Sequence, residues 1–499
     1  MIEEQAAIPI ERLTTGSPAL DRILGGGLPV RSVVVIGGEP GSGKTVFTLQ
    51  MLFHLARQGK KTLYFTTLSE PALKLIHYMQ LFSFFDQRLL DDGVTFVDLG
   101  SELRKEGPES ALKQIISRVE QEEPDLVAID SFKAIHDILG DPASGRGFVY
   151  DLAVEMASWG ATTLLVGEYM SQDIETHPEF AIADGIVLLK NKHQELTAVR
   201  AMEVLKLRGA DYITGQHFFE MNQDGLAFYP RVRAPEWSGS TPISSDERVS
   251  TGVEGLDRLL HGGFPRNSST VVSGGTGTGK TLLSLHFLVE GARRGERGIY
   301  FTLEETPDQL YSGAAAFGWD LRALESKGLL TVTYTSPVEM STDKFLNEVR
   351  QQVKAEGAQR AVLDSVTSLA LGVPSERRLR ELVYALTKHL RAARVTLLLT
   401  MEVAELLGSA QITGHGVSSL ADNVVLLRYV EMEGRLQRAM SVLKARGIKH
   451  ETELRQVGIG TQGFEVGPPF TEFRGVLTGV PLPIERVRTS RRPRKADAQ

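Results

Sequence analysis

The sequence predicts an α/β fold built twice over, each copy a mostly parallel twisted sheet flanked by helices. Three observations predict it. The chain carries the same landmarks twice in the same order, from Thr15 to Gly209 and again from Thr251 to Gly447. Within each copy, short β-branched or aliphatic runs alternate with longer helical stretches, the pattern of strands buried on both faces. In each copy one such run leads into a glycine-rich loop and then a helix.

The repeat is legible residue by residue. Residues 15–29 read TGSPALDRILGGGLP and residues 251–265 read TGVEGLDRLLHGGFP, identical at nine of fifteen positions without a gap. The same offset of 236 carries Tyr64-Phe65-Thr66 onto Tyr300-Phe301-Thr302, and an offset of 238 carries MEVLKLRG (Met202–Gly209) onto MSVLKARG (Met440–Gly447). A repeat of this length is a duplicated domain, not a solenoid unit. The expected strands are Val33–Ile36, Leu126–Ile129 and Thr162–Val166, then Thr270–Val272, Ala361–Leu363 and Val395–Leu399. Domains are expected at 1–233 and 248–480. Residues 234–247 (APEWSGSTPISSDE) are rich in Pro, Ser and Gly and read as a linker, and 481–499 read as a basic flexible tail.

Composition removes several classes of function. Of 499 residues, 42% are hydrophobic and 23% charged, a globular balance. No cysteine is present, so disulfides, thiol nucleophiles and cysteine-ligated metal centres are excluded. The opening MIEEQAAIPIER has no basic flank ahead of an apolar stretch, and no apolar run reaches the ~18 residues of a membrane span. A cytoplasmic protein without a membrane segment is therefore expected. The net charge of -7 argues against a chain-wide grip on nucleic acid.

Each glycine loop spells G-x-x-x-x-G-K-T, at Gly38–Thr45 and Gly274–Thr281. Glycines let the backbone curl so that its N–H groups face phosphate oxygens, the lysine reaches the β- and γ-phosphates, and the threonine hydroxyl meets Mg²⁺. Gly38, Gly41, Ser42, Gly43, Lys44 and Thr45 are the first set of ATP-binding candidates. The second set is Gly274, Thr276, Gly277, Thr278, Gly279, Lys280 and Thr281. Asp130 and Asp364 close apolar strands and are the candidate Mg²⁺ carboxylates, beside Thr45 and Thr281. In the second copy Glu304 and Glu305 follow a strand, where a carboxylate can take the proton of an attacking hydroxyl or water. In the first copy Leu68 and Ser69 stand in that register, and Glu70 comes one position late. Lys206 and Arg208, and Lys444 and Arg446, recur inside M-x-V-L-K-x-R-G and suit a pair of cations reaching the γ-phosphate of an adjoining subunit.

With these residues in place the chain resembles the KaiC family of tandem RecA-like P-loop ATPases and autokinases, over residues 10–480. The resemblance rests on the two T-G-x-x-x-L-D openings, both phosphate loops, F-T-x-E-E-T-P, D-S-V at Asp364–Val366, the paired K-x-R-G segments, and Ile412–Ser419 (ITGHGVSS). That last segment looks like the family's phosphorylation segment, with Ser418 and Ser419 on the phosphoacceptors and Thr413 on the auxiliary threonine. Gly414, His415 and Gly416 depart from the family pattern. The resemblance implies two tandem RecA-like P-loop NTPase domains in a homo-hexameric double ring, with ATP and Mg²⁺ between subunits. It further implies Glu304 as general base, Glu305 as its support, and Lys280, Lys444 and Arg446 as stabilisers of the transferred phosphoryl. The first ring, lacking the paired glutamates in register, is expected to bind ATP and hydrolyse it weakly. A KaiB-like or other signalling protein is an implied partner. Gly475–Arg488 falls where the family docks an activator, and is followed by Arg491, Arg492, Arg494 and Lys495. Two other readings stay open: a nucleic-acid-dependent RecA-like motor, for which neither copy offers a basic, aromatic-bearing loop, and an ATP-gated scaffold without kinase activity.

Overall fold

The computed structural model describes residues 10–67, 72–139, 142–158, 160–170, 172–194, 197–231, 244–338, 340–373, 375–403, 414–432, 434–471, 473–474 and 482–483. The chain divides into two units, residues 1–231 and 232–499.

The first unit is built on a nine-stranded sheet, beside a short ribbon of Arg12–Leu13 with Leu28–Pro29. The strands of the sheet are β1 (Val33–Gly38), β2 (Thr62–Thr66), β3 (Val94–Asp98), β4 (Leu126–Asp130), β5 (Thr162–Glu168), β6 (Gly185–Gln194), β7 (Thr197–Leu207), β8 (Gln216–Asn222) and β9 (Gly225–Tyr229), in the order β9-β8-β7-β6-β1-β5-β4-β2-β3. The six strands from β6 to β3 run parallel, and β7 to β9 add antiparallel hairpins. Helix α1 (Lys44–Arg57) follows β1. Side chains of a strand alternate between faces, and here both faces are covered. Val34 and Ile36 enter the core that also holds Phe47, Leu52 and Phe53 of α1, while Val35 enters a second core with Ile115, Ile129 and Phe132.

The second unit repeats the plan. Its strands are β10 (Ser269–Gly274), β11 (Gly298–Thr302), β12 (Leu330–Tyr334), β13 (Arg360–Asp364), β14 (Thr396–Glu402), β15 (Asn423–Met432), β16 (Arg435–Ala445), β17 (Arg455–Gly460) and β18 (Gly463–Pro469), ordered β12-β11-β13-β14-β10-β15-β16-β17-β18. Helix α2 (Lys280–Arg293) follows β10, α3 (Val366–Leu371) follows β13, and α4 (Glu376–Ala392) precedes β14. Adjacent residues again part company, Val272 into one core and Val271 into the other. All six expected strands form, and the α/β fold class with two mostly parallel sheets is realised in both units.

The parallel strands decide where the site lies. In each unit β1 or β10 sits centrally, so the loop leaving its C-terminal end opens beside the ends of its two parallel neighbours. A short ribbon pairs Ser244–Val249 with Phe264–Arg266, so a strand begins inside the stretch that composition assigns to a linker. Pro, Ser and acidic residues hid it, because a two-stranded edge ribbon needs little apolar patterning. Most of the expected tail lies outside the described residues. Among the described residues no helix is long and apolar enough to cross a membrane.

Candidate nucleotide site

Each phosphate loop is shaped by close backbone approach. At Gly38 a Cβ would come 2.1 Å from the Leu189 carbonyl oxygen, and at Gly274 2.5 Å from that of Leu427, so only glycine fits. Gly43 (φ 98°) and Gly279 (φ 104°) turn the chain left-handed at the N-termini of α1 and α2, a conformation that costs a side-chain-bearing residue about 1 kcal/mol or more. Among the described residues no side chain caps either helix start, and an uncapped helix N-terminus behind a glycine loop is a ready anion site.

The lysines are held in place. Lys44 Nζ donates to the carbonyls of Gly38 (3.0 Å) and Glu39 (2.9 Å), and Lys280 Nζ to those of Gly274 (3.0 Å) and Gly275 (2.9 Å). Burial lowers both ammonium pKa values, opposed by Glu168, Asp130 and Glu39 around Lys44 and by Glu402, Asp364 and Glu304 around Lys280. The loops differ in detail. Thr278 Oγ1 closes onto the Gly275 carbonyl at 2.8 Å, whereas the fully buried Ser42 hydroxyl has no hydrogen-bond partner among the described residues. An orphaned buried hydroxyl inside a left-handed glycine nest suits phosphate oxygens, and the residues present fit a nucleoside triphosphate. In the second unit Tyr429 Oη (2.7 Å) and Arg438 Nε (3.0 Å) both donate to the Gly277 carbonyl.

A threonine and an aspartate meet at the far end of each loop. Thr45 Oγ1 donates to Asp130 Oδ2 at 2.8 Å and Thr281 Oγ1 to Asp364 Oδ2 at 2.9 Å. These are hard oxygen donors of the kind Mg²⁺ takes alongside phosphates and water. The same carboxylate oxygens accept a tyrosine hydroxyl, Tyr64 at 2.6 Å and Tyr300 at 2.5 Å. Burial, and then the Asp364 charge, pushes the Tyr300 hydroxyl pKa well above its ordinary value, so it stays a donor. Thr400 Oγ1 also donates to Asp364, at Oδ1. In the sequence the two tyrosines stand out only as markers of the repeat. Their shared offset and strand-central position were the available signal.

Glu304 and Glu305 follow β11. Glu304 Oε1 accepts Ser365 Oγ at 2.5 Å and Ser368 Oγ at 2.6 Å, while its Oε2 accepts no hydrogen bond among the described residues. One oxygen is thus anchored and the other is left for a proton. Glu305 has its carboxyl pKa raised, first by burial and then by the charges of Asp364 and Glu304. Ser365 stands in the D-S-V motif with no role given to it, and Ser368 is not marked by any motif. Nor is Glu402, which ends β14 opposite Gly274, as Glu168 ends β5 opposite Gly38. The recurrence of a glutamate at both strand ends was the missed signal.

The cation pairs end interior strands, β7 and β16. Lys444 Nζ donates to the carbonyls of Ser418 (3.2 Å) and Ala421 (2.6 Å), and Arg446 to that of Ser419 (3.4 Å). Ser418 and Ser419 themselves sit in a 3₁₀ turn, Gly414–Ser419. In the first unit Arg208 pairs with Asp184 at 3.3 Å. Burial, then the neighbouring arginine, pushes Lys206 and Lys444 down in pKa. Each lysine–arginine pair therefore lies within its own unit away from the phosphate loop's hydrogen bonds. Glu70 and Thr413 lie outside the described residues, as do most of the residues of Gly475–Arg488.

Two α/β units, each with a strand, a glycine loop, a helix and a strand-end threonine–aspartate pair, define a tandem P-loop nucleotide-binding protein. The profile described as "ATPase: KaiC" matches residues 13–233 and again 249–470. The chain is 32% identical over 491 residues to the circadian clock protein KaiC3 of a Synechocystis species, covering 96% of each. It is 31% identical over 491 residues to the circadian clock oscillator protein KaiC of Acaryochloris marina, covering 96% of this chain and 92% of that one. Against the oscillator protein of Thermosynechococcus vestitus it is 30% identical over 494 residues, 96% and 94% covered. The chain belongs to the KaiC family of ATP-binding ATPases.

Proposed function

We propose that this protein is a Mg²⁺-dependent ATPase and serine autokinase, working as a double-ring hexamer whose second ring phosphorylates Ser418 and Ser419. The observation that carries the reading is Glu304. Its Oε1 is fixed by Ser365 and Ser368, and its charge reaches Lys280.

In this reading Lys280 and the loop N–H groups bind the triphosphate, and Thr281 and Asp364 hold the metal, which supplies charge neutralisation on the phosphates. The serine hydroxyl of a neighbouring subunit attacks the γ-phosphorus. The new bond joins serine oxygen to phosphorus, the bond from phosphorus to the β–γ bridging oxygen breaks, ADP leaves, and the hydroxyl proton passes to Glu304. Glu305, its carboxyl pKa raised by burial and by the charges of Asp364 and Glu304, stands next to Glu304 as its support. Lys444 and Arg446 steady the acceptor segment and reach the phosphoryl from the adjoining protomer. Water replacing serine gives hydrolysis. In the first ring Lys44, Thr45 and Asp130 provide the same grip. With no glutamate pair in register, that ring serves mainly assembly, and Lys206 and Arg208 complete its subunit seam. Phosphorylation state then acts as a signalling switch read by a protein partner.

The test is incubation with γ-labelled ATP and Mg²⁺ followed by mapping of the peptide spanning 411–428. Label on Ser418 or Ser419 is expected. ATP turnover with no label there would reduce the reading to an ATPase scaffold.

A further inference from the structure

The mechanism above leaves Glu402 unused, yet it touches three parts of the second site. Thr276 Oγ1, within the phosphate loop, donates to the Glu402 carboxylate. The backbone N–H of Glu402 donates to Thr367 Oγ1 at 2.8 Å, and Thr367 stands on α3 between Ser365 and Ser368, the two hydroxyls that fix Glu304. The next N–H, of Val403, donates at 3.2 Å to the Gly274 carbonyl, which also accepts Lys280 Nζ. From Val403 the chain runs on to the turn Gly414–Ser419. The Glu402 carboxylate thus holds the phosphate loop, while the backbone of Glu402 and Val403 ties the same strand end to the carrier of the general base and to Gly274.

We propose that Glu402 is a positioning residue that reads occupancy of the second phosphate loop. Its carboxylate holds Thr276 and competes with triphosphate oxygens for that hydroxyl; an incoming triphosphate turns it away, and the movement passes through Val403 towards the turn that bears Ser418 and Ser419. The physical reason is charge. A carboxylate and phosphate oxygens compete for the same donors and repel one another, so a triphosphate binds better to the arrangement with Glu402 turned out and shifts the population towards it. The first unit supplies a built-in contrast. Glu168 holds the matching strand end, but Pro40 replaces Thr276 and offers no hydroxyl, so the same latch cannot form there. The role of the movement rests on the autokinase reading. The movement itself needs only nucleotide binding.

Hydrogen exchange of residues 403–422, with and without a non-hydrolysable ATP analogue, tests this in the full chain. Exchange there is expected to change on binding in the wild type and in Glu168→Gln. In Glu402→Gln the analogue is expected to bind the second unit about tenfold more tightly, the effect of one carboxylate removed from beside a phosphate. The exchange response there is expected to fall to roughly a third or less, because the charge that drives the switch is gone. Thr276→Val, which removes the latch's other half, is expected to lose the response too. A wild-type response retained in Glu402→Gln with analogue bound, or no response in the wild type, overturns the proposal. Label at Ser418 and Ser419 is read separately, and its absence would refute the kinase reading while leaving the latch standing.

Discussion

Lys444 holds the backbone of Ser418, its ammonium donating to the serine carbonyl at 3.2 Å. The matching pair in the first unit does something else, because Arg208 is spent on Asp184. The difference traces to Arg391 on α4, which takes the buried Asp422, the counterpart of Asp184, and leaves Arg446 to the Ser419 carbonyl. Where Ser418 and Ser419 stand, the first unit has Phe180 and Ala181 at the offset of 238 and carries no hydroxyl.

Lys444→Met is therefore expected to loosen the acceptor turn and lower self-labelling about tenfold or more, since a charge-assisted hydrogen bond is worth ~1.5–3 kcal/mol. Radiolabel incorporation at saturating ATP checks it. Lys206→Met, which leaves the acceptor turn untouched, should lower that labelling only as far as it lowers the hexamer fraction.

Glu304→Gln keeps the contacts to Ser365 and Ser368 but cannot take a proton. Label transfer in the second unit is expected to drop by about 10²–10⁴, the range for loss of a general base, with ATP affinity unchanged. A parallel loss of ATP binding would assign Glu304 to binding instead.

The two phosphate-loop lysines should separate in their effects. Lys280→Ala is expected to abolish labelling of Ser418 and Ser419 while rings persist. Lys44→Ala is expected to reduce the hexamer fraction in sedimentation, with nucleotide affinity of its unit down about 100-fold. If Lys44→Ala removes most ATP hydrolysis from intact rings, the first unit is the main hydrolase.

His286 makes the second unit acid-sensitive. Burial pushes its imidazole pKa from 6.5 to about 4, and its Nε2 accepts the Phe464 N–H at 2.8 Å, so it is neutral in the fold. Above the unfolded pKa neither state takes the proton and the stability is fully present. As pH falls from about 6.5 towards 4 the unfolded chain protonates first, and stability declines by about 1.4 kcal/mol per pH unit, ~3 kcal/mol in all. Urea unfolding at neutral and acidic pH should show this slope. His286→Gln should flatten it.

Arg360 is 1% exposed, with Nε on Glu296 at 2.6 Å and Nη1 on the carbonyls of Ser250 (2.8 Å) and Phe287 (2.7 Å). The matching position in the first unit is Leu126, also buried. Arg360→Leu should destabilise the second unit by about 3–5 kcal/mol, because buried acceptors lose their donor and Glu296 one of its two arginines. Chemical denaturation of the variant measures it.

Much of the site was legible from local pattern. The G-x-x-x-x-G-K-T loops, the strand-end Asp130 and Asp364 and the paired Glu304 and Glu305 all advertise themselves within a few residues of a strand or helix. What the pattern hid has the opposite character. Ser365 reaches Glu304 across 61 residues, Thr276 reaches Glu402 across 126, and Arg391 is one of many helix-borne arginines until Asp422 is beside it. The short ribbon from Ser244 leaves no mark in the pattern because an edge pair carries little hydrophobic period.

By itself, then, the sequence determined a duplicated α/β chain with two phosphate loops, since periodicity, glycine placement and repeat offsets are properties of neighbouring residues. Tertiary structure alone decided the company each group keeps. Placing β14 between β13 and β10 sets Glu402 against Gly274 and Thr400 on Asp364, and placing β15 on the far side of β10 brings Tyr429 to Gly277. Strand order is a choice among packings of equally apolar strands, and its outcome depends on how the whole sheet buries both faces.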